Sequence, residues 1–248
     1  MRIWLERLGW LALVVAVLAA LSAAAAGPGY QLGWWPLGVA LQQIVKYSVF
    51  ALIGAAGVGL LTFLVLFALP PREGWQAGLA ALVLAALAGA YPLSLIMTAR
   101  SVPAIHDITT DTEDPPVFVD LLAVRTGALN PPDYDGPRVA ALQKTAYPDI
   151  VPLDVEVSPD RAFAEAQALA QGLGWHVVAA VPEQGRIEAS QKSFWFGFVD
   201  DVVIRVSERE GGSRIDMRSK SRVGRSDIGA NAARIRHFFA ELEERLAK

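Results

Sequence analysis

The stretch DVVIRVSEREGGSRIDMRSKS, residues 201–221, alternates apolar with polar side chains on both sides of a Gly-Gly pair. Alternation with a period of two is typical of a strand that buries one face, and the turn at residues 208–212 predicts an antiparallel hairpin. The apolar side chains of the hairpin, together with one from a neighbouring strand, are predicted to face the core. They are Ile187, Val202, Ile204, Val206, Ile215 and Met217. The opposite face is predicted to point to solvent and carries Glu188, Lys192, Arg205, Arg214, Asp216, Arg218, Lys220 and Arg222.

The residues around this hairpin predict an α+β domain over residues 150–248. A strand at residues 153–157 is followed by Ser158-Pro159-Asp160, which is typical of a helix start, and by an apolar helical stripe. Further strands at 175–181 and 186–194 precede the hairpin, and a last helix follows it. The predicted order, β-α-β-β-β-β-α, packs both helices on one face of a curved antiparallel sheet. This topology resembles one repeat of the TATA-binding-protein-like fold, a likeness that implies no DNA binding.

Residues 100–149 are rich in Pro, Asp, Thr and Asn, with one short apolar run at residues 117–124. Such composition is typical of loops and turns. We therefore predict an extended connector that lies on a surface and forms no domain of its own.

The first 99 residues predict three transmembrane helices, at about residues 8–26, 47–69 and 75–99, the last containing Pro92. Each is near the 20 residues that cross a bilayer. The whole chain is 53% hydrophobic with a mean hydropathy of +0.35, yet residues 1–99 hold only four basic and two acidic residues. These helices carry no charged side chain near their centres, which disfavours a transporter or channel.

The basic residues that flank the helices predict the orientation. Arg2, Arg7 and Arg72 would lie on one side, and Lys46 and Arg100 on the other. Because basic residues favour the cytoplasm, we predict a multi-pass protein of the cell inner membrane whose C-terminal domain is periplasmic. Alternatively, the small residues at 22–27 form a signal-peptide cleavage site, which leaves two helices and the same orientation.

Composition also limits the function of the second half. Residues beyond Ala99 hold 18 basic and 23 acidic residues, a net charge of 18 − 23 = −5, which argues against a nucleic-acid binder. The chain has no cysteine, so disulfides and thiolate metal sites are excluded. No metal ion or cofactor is predicted.

Two motifs resemble the bacterial and plastid family named domain of unknown function 1499 (DUF1499). They are IHDITTDTEDPP at residues 105–116, and the run from SFWFGFVDDVVIRV to RSKSRVGRSDIGANAARI at residues 193–235. The resemblance covers roughly residues 105–246 and implies a fold and frequent membrane attachment, but no activity. The family pattern includes a cysteine near the start of the domain, which this chain lacks.

Two acidic groups are candidate catalytic or metal-binding residues. His106, Asp107 and Asp111 lie in one short segment and offer an imidazole and carboxylates, enough for a divalent metal or a general acid and base if they converge. Asp200 and Asp201 open a strand and could hold a cation. For both groups we predict a structural role, with the chemical role as the alternative: a rigid surface connector for the first, and for the second a turn cap and an ion pair with Arg218 or Arg222.

A basic run near the C-terminus is the candidate anion or partner site. Alternation predicts that Arg218, Lys220 and Arg222 lie on the open sheet face, where they could bind anionic lipid headgroups or a phosphorylated ligand. Residues 224–227 lead into the last helix, whose start favours negative charge, although Ser226 or Asp227 could fill that role. Further members of the candidate site are Arg225, Asn231 and Arg234. The alternative for Asn231 and Arg234 is an internal polar contact within the last helix.

The cluster Phe194, Trp195, Phe196 and Phe198 is more apolar than a solvent-exposed turn tolerates. We predict core packing for this cluster, and contact of Trp195 and Phe196 with the membrane interface or the transmembrane helices is the alternative.

These observations predict a non-enzymatic, membrane-anchored binding or scaffolding domain for a partner protein of the envelope, a lipid headgroup or a small anion. The alternative is a membrane-bound hydrolase or metal-dependent enzyme that uses His106, Asp107 and Asp111.

Overall fold

Two units make up the chain in a computed structural model that describes residues 1–247. The helical unit consists of Met1–Met97 together with Trp195–Gly197. The sheet unit consists of Thr98–Phe194 and the described chain from Phe198 onward.

The N-terminal residues form helices, and three of them are long and apolar enough to cross a membrane: Arg2–Gln31, Leu37–Ala68 and Gln76–Ser101. The second is built from α2 (Leu37–Val39), a π-helical turn (Ala40–Val45) and α3 (Lys46–Ala68), and the first and third are α1 and α4. Three apolar helices at the N-terminus are therefore confirmed.

The predicted end of α1 at residue 26 is wrong, because the helix continues through Pro28 to Gln31. A proline removes the hydrogen bond to the carbonyl four residues earlier, which here is that of Ala24. The Trp195 indole Nε1 donates to this carbonyl at 3.2 Å, and the Trp35 Nε1 donates to Ala26 O at 2.9 Å. Side chains thus stabilise the helix past a residue that often ends one.

Small residues bring α3 and α4 close together. A Cβ added to Gly78 would lie 2.5 Å from Thr62 Oγ1 and 2.8 Å from the Gly59 carbonyl oxygen. Such close approach of backbones is typical of helix packing inside membranes, where apolar burial gives no driving force between helices.

The sheet unit is a mixed helix and antiparallel-sheet structure, which confirms the α+β class. Its sheet has the order β1-β6-β5-β4-β3, with β2 also paired to β6. The strands are β1 (Asp107–Thr109), β2 (Leu153–Val155), β3 (His176–Val181), β4 (Arg186–Lys192), β5 (Val199–Arg209) and β6 (Gly212–Ser221). The helices are α5 (Leu121–Val124), α6 (Pro137–Ala146), α7 (Pro159–Gly172) and α8 (Ala230–Leu246), with a 3-10 turn at Pro182–Gln184. The predicted element order omitted β1, and the likeness to the TATA-binding-protein-like fold stays a prediction.

The main core lies between one face of the sheet and helices α7 and α8. Ile204 and Met217 on the sheet pack with Phe163, Leu169 and Phe238 on the helices, all of them buried. Ser158 caps α7 by accepting a hydrogen bond from the Arg161 N–H, as its position before Pro159 predicts.

Residues 100–149 do not form the predicted extended connector. They contribute β1, α5 and α6, and bury Ile105, Ile108 and Leu121 almost completely. We call residues 105–136 the strap. Phe118 and Leu121 of the strap pack on Val203, on the sheet face opposite α7 and α8.

The strap also overturns the prediction that this second sheet face is open to solvent. Glu188 and Lys220 are 0% exposed, and Asp216 and Arg218 are 1% exposed. Alternation predicts which side chains share a face, but a segment whose contacts with that face span 67 to 113 residues of sequence covers it.

Candidate functional site

Seven charged side chains are buried between the sheet and the strap, and we call them the ionic layer. Buried charges need partners, because an isolated ion in a protein interior carries a large desolvation penalty. Four members are acidic and three are basic: Asp107, Glu188, Asp201, Asp216, Arg125, Arg218 and Lys220.

Asp107 is at one end of this layer. The pairing of β1 with β6 sets Asp107 opposite Lys220, so both side chains lie on the strap-covered face. Arg218 donates from Nε and Nη2 to the two Asp107 carboxylate oxygens at 2.8 and 2.9 Å, and Lys220 Nζ donates at 3.1 Å. One buried carboxylate therefore neutralises two buried cations in part, and the strap supplies more acceptors.

The strap residues 132–135 complete this cluster. Lys220 Nζ donates to the Asp135 carboxylate at 2.7 Å, and Asp135 in turn lies 3.4 Å from His106 Nε2. Arg218 Nη2 donates to the Pro132 carbonyl at 2.9 Å. Asp135 was not predicted, although seven acidic residues and one basic residue within residues 105–136 could have indicated a partner for the basic strand.

Asp201 accepts from two arginines. Arg222 donates to both of its oxygens at 2.8 Å, which is one of the two pairings predicted for a member of the Asp200–Asp201 pair. Arg125 donates to Asp201 Oδ2 and lies over the Phe118 ring. Burial lowers the pKa of Arg125 from its ordinary value, and the Asp201 carboxylate opposes that shift.

Glu188 holds the start of α5. Its carboxylate accepts the backbone N–H groups of Val119 and Leu121 at 2.8 Å each and of Asp120 at 3.3 Å, and it pairs with Arg186. Free N–H groups at a helix start favour a negative charge, and a side chain from β4 supplies it here.

Asp111 and Asp216 share the arginines at the far end of the layer. Arg214 Nη2 donates to Asp111 at 2.9 Å, and Arg205 Nη2 donates to Asp216 at 3.1 Å. Burial alone would raise the pKa of Asp111, but the backbone N–H groups of Asp114 and Glu113 and the arginine charges outweigh it and lower that pKa.

Asp200, Asn231 and Arg234 form a separate network near the start of α8. Arg234 Nη2 donates to Asp200 at 2.6 Å, and Arg234 Nη1 donates to Asn231 Oδ1. The Asn231 backbone N–H donates to the Asp227 carboxylate at 2.9 Å, while burial raises the pKa of Asp227. The internal polar contact predicted for Asn231 and Arg234 is present. Arg225, by contrast, is exposed.

Trp195 and Phe196 belong to the helical unit. Gln31 Nε2 donates to the Trp195 carbonyl at 2.9 Å, and the Trp195 ring centroid lies 5.9 Å from that of Tyr91. Phe196 is 6% exposed, and its ring centroid lies 6.3 Å from that of Tyr30 on α1. Contact of Trp195 and Phe196 with the membrane interface stays a prediction.

The acidic residues predicted as a catalytic or metal site do not converge in a pocket. Asp107 and Asp201 are each fully buried in ion pairs with basic residues, and Asp111 pairs with Arg214. Within residues 1–247, no group of three or more His, Cys, Asp or Glu side chains is arranged to hold a metal ion. The arrangement can hold the strap on the sheet through ion pairs.

Tyr134 makes the ionic layer sensitive to high pH. Burial raises the pKa of the Tyr134 phenol to about 12, and the neighbouring Asp107 carboxylate adds to the shift. Below pH 10 the phenol is neutral in both states; between pH 10 and pH 12 it ionises only in the unfolded chain, so stability falls as pH rises. Since solvent screens a half-buried group, we expect less than the full value of this shift: the wild type should lose about 1–2 kcal/mol more than Tyr134→Phe over this interval.

Urea unfolding of both full-length proteins at about pH 9 and about pH 12 measures this difference. If the wild type and Tyr134→Phe differ in free energy of unfolding by the same amount at both pH values, the prediction is contradicted.

Comparison with known proteins gives one match. No curated protein and no solved structure matches the chain. The sequence model of the family described as "Protein of unknown function (DUF1499)" matches residues 107–242, which are 136 of the 248 residues. The match begins at Asp107 in the strap and runs through every strand of the sheet into α8. Because it covers more than half of the chain, this protein belongs to the DUF1499 family.

Proposed function

We propose that this protein is a membrane-anchored, non-enzymatic binding module whose sheet unit docks another protein of the cell envelope through the outer surface of the strap. One observation carries the proposal. Five large apolar side chains of the strap are strongly exposed: Val117 64%, Val119 48%, Leu122 47%, Val124 50% and Leu129 77%. We call these five residues the apolar strap surface.

The inner side of the same segment explains why these side chains point outward. Phe118, Leu121 and Arg125 are buried against the sheet, so Val119, Leu122 and Val124 between them face away from it. The other two members of the surface lie on either side of this stretch in sequence. Their inner neighbours are locked by Glu188 and Asp201. A surface held in this way is pre-organised, and binding then costs little ordering entropy.

Clusters of exposed apolar side chains commonly mark interaction sites. The charge around this one favours a protein over an anionic membrane. Six of the seven acidic residues in residues 105–136 pair with basic side chains of the chain. Asp133 is exposed beside the apolar strap surface in sequence, and its side chain has no ion pair among residues 1–247. An anionic headgroup layer would repel this segment, whereas a protein with an apolar patch and a basic rim would complement it. The basic side chains first considered for anions, Arg218 and Lys220, are occupied by Asp107.

The proposed location follows from the apolar helices. Three helices of sufficient length and hydropathy support anchoring in the inner membrane. The helical unit would then be in contact with the lipid bilayer. Arg2, Arg7 and Arg72 support a cytoplasmic N-terminus, and hence a sheet unit on the periplasmic side.

Site-specific photo-crosslinking in native membranes tests the docking surface. A photoreactive residue at position 122 or 129 is expected to give discrete protein adducts, whereas position 142, an exposed leucine of α6 outside the strap, serves as the matched control. If the partner has a basic rim, Asp133→Lys should reduce the yield of those adducts several-fold, because one attractive charge pair is replaced by a repulsive one. Adducts with lipid only, or equal adducts at position 142, would contradict the proposal.

A further inference from the structure

A groove in the helical unit lies beside the π-helical turn Ala40–Val45. It has a volume of about 470 Å³ and is lined by α1 on one side and by the second apolar helix on the other. π-Helical turns inside α-helices are rare and occur often at functional sites. The groove is therefore a candidate binding site that is separate from the ionic layer and from the strap.

The two ends of the groove differ in polarity. The end towards the middle of the helices is lined by Val15, Leu18 and Ala51. The other end carries Gln43 and Tyr47 on the second helix. At a rise of about 1.5 Å per residue, Gln43 lies about 12 Å along the helix from Ala51. The lining thus matches a molecule with an apolar chain and a polar head.

The polar end has an unused amide and a single cation. Gln43 is exposed, and among residues 1–247 its side chain forms no hydrogen bond. Lys46 is the one charged residue between Arg7 and Arg72, and its Nζ lies 5.7 Å from the centroid of the Tyr47 ring that lines the groove. An unpaired amide in or near hydrocarbon is costly, so a ligand that accepts from it is favoured.

We propose that this groove binds one phospholipid, with an acyl chain between α1 and the second helix and the phosphate at Gln43 and Lys46. Lipid tails are as apolar as leucine, so burying the chain gives little selectivity by itself. The selectivity comes from the phosphate, which accepts charge-assisted hydrogen bonds from the ammonium and the amide. The proposal rests on the membrane insertion proposed above.

The test uses the full chain in lipid nanodiscs that contain a phosphatidylglycerol with a photoreactive group in one acyl chain. Labelled peptides are then mapped by mass spectrometry. We expect labels to concentrate on residues 15–22 and 43–51, above the level at Leu87, a 73% exposed position on α4. The double variant Gln43→Leu, Lys46→Gln should reduce groove labelling about tenfold, as loss of charge-assisted hydrogen bonds predicts.

Gln42→Leu is the matched control, because Gln42 is exposed and adjacent but does not line the groove. It should leave the labelling unchanged. Labels spread evenly over the helices, Leu87 included, would support membrane insertion and overturn the lipid site. Equal loss in both variants, or no label on any helix, would also overturn it, and the last result alone would count against insertion.

Discussion

Replacing Asp107 with alanine is expected to lower the free energy of unfolding of the sheet unit by about 3–5 kcal/mol, the cost of leaving buried charges unpaired. Asp107 is 0% exposed and is the carboxylate that Arg218 and Lys220 share. Removing it leaves two cations in a dry interior, with Asp135 as the remaining acidic partner of Lys220. The backbone N–H of Asp135 also loses its acceptor.

Urea unfolding of the full-length protein, followed by hydrogen exchange in β1 and β6, measures this loss. Asp133→Ala is the matched control, because Asp133 is an exposed strap carboxylate whose side chain has no ion pair among residues 1–247. If both variants unfold at the same urea concentration, the ionic layer does not stabilise the strap.

Replacing Glu188 with alanine is expected to release α5 and to cost about 3 kcal/mol, because the buried N–H group of Leu121 and the part-buried N–H groups of Val119 and Asp120 lose their acceptor. The Glu188 carboxylate accepts from Val119, Asp120 and Leu121, and no other element supplies an acceptor for these groups within residues 1–247. Arg186 also loses its buried partner and keeps the exposed Asp120. The apolar strap surface should therefore become mobile before the sheet unfolds.

Hydrogen exchange at Val119 and Leu121 reads this effect directly, and we expect faster exchange there than in β5. Glu208→Ala is the comparison, since Glu208 is an exposed carboxylate on a strand of the same sheet. The same variant links stability to the proposed function: crosslinks from positions 122 and 129 should weaken in Glu188→Ala and persist in Glu208→Ala. Unchanged protection of Val119 in Glu188→Ala would show that α5 is held by Phe118 and Leu121 alone.

The local sequence pattern predicted secondary structure correctly wherever that structure depends on residues close together in sequence. Three long apolar segments indicated three helices, because length and hydropathy are properties of the segment itself. The alternation in β5 and β6 correctly separated Ile204 and Met217 from Arg205 and Arg218, because the two faces of a strand follow from its period. The boundary of α1 was missed because the groups that satisfy its backbone at Pro28 come from Trp35 and Trp195.

The strap was missed for a related reason. Its Pro-rich and Asp-rich composition is typical of a surface loop, and only its charge indicated otherwise. Asp107 meets Arg218 across 111 residues of sequence, and Glu188 meets Leu121 across 67. Partners at such separation leave no periodic signal in a single chain.

By itself, the sequence determined the apolar helices, the α+β class, the family and which side chains share each face of a strand. The tertiary structure alone decided whether a face is wet or covered. A row of Arg and Lys has the same sequence pattern in either case. Hydrophobic periodicity shows to which face of the strand a side chain points, but not which other segment covers that face. Here the strap supplies Asp107, Arg125 and Asp135 to that row, so the charged face is interior and the apolar side chains of the strap form the exposed surface.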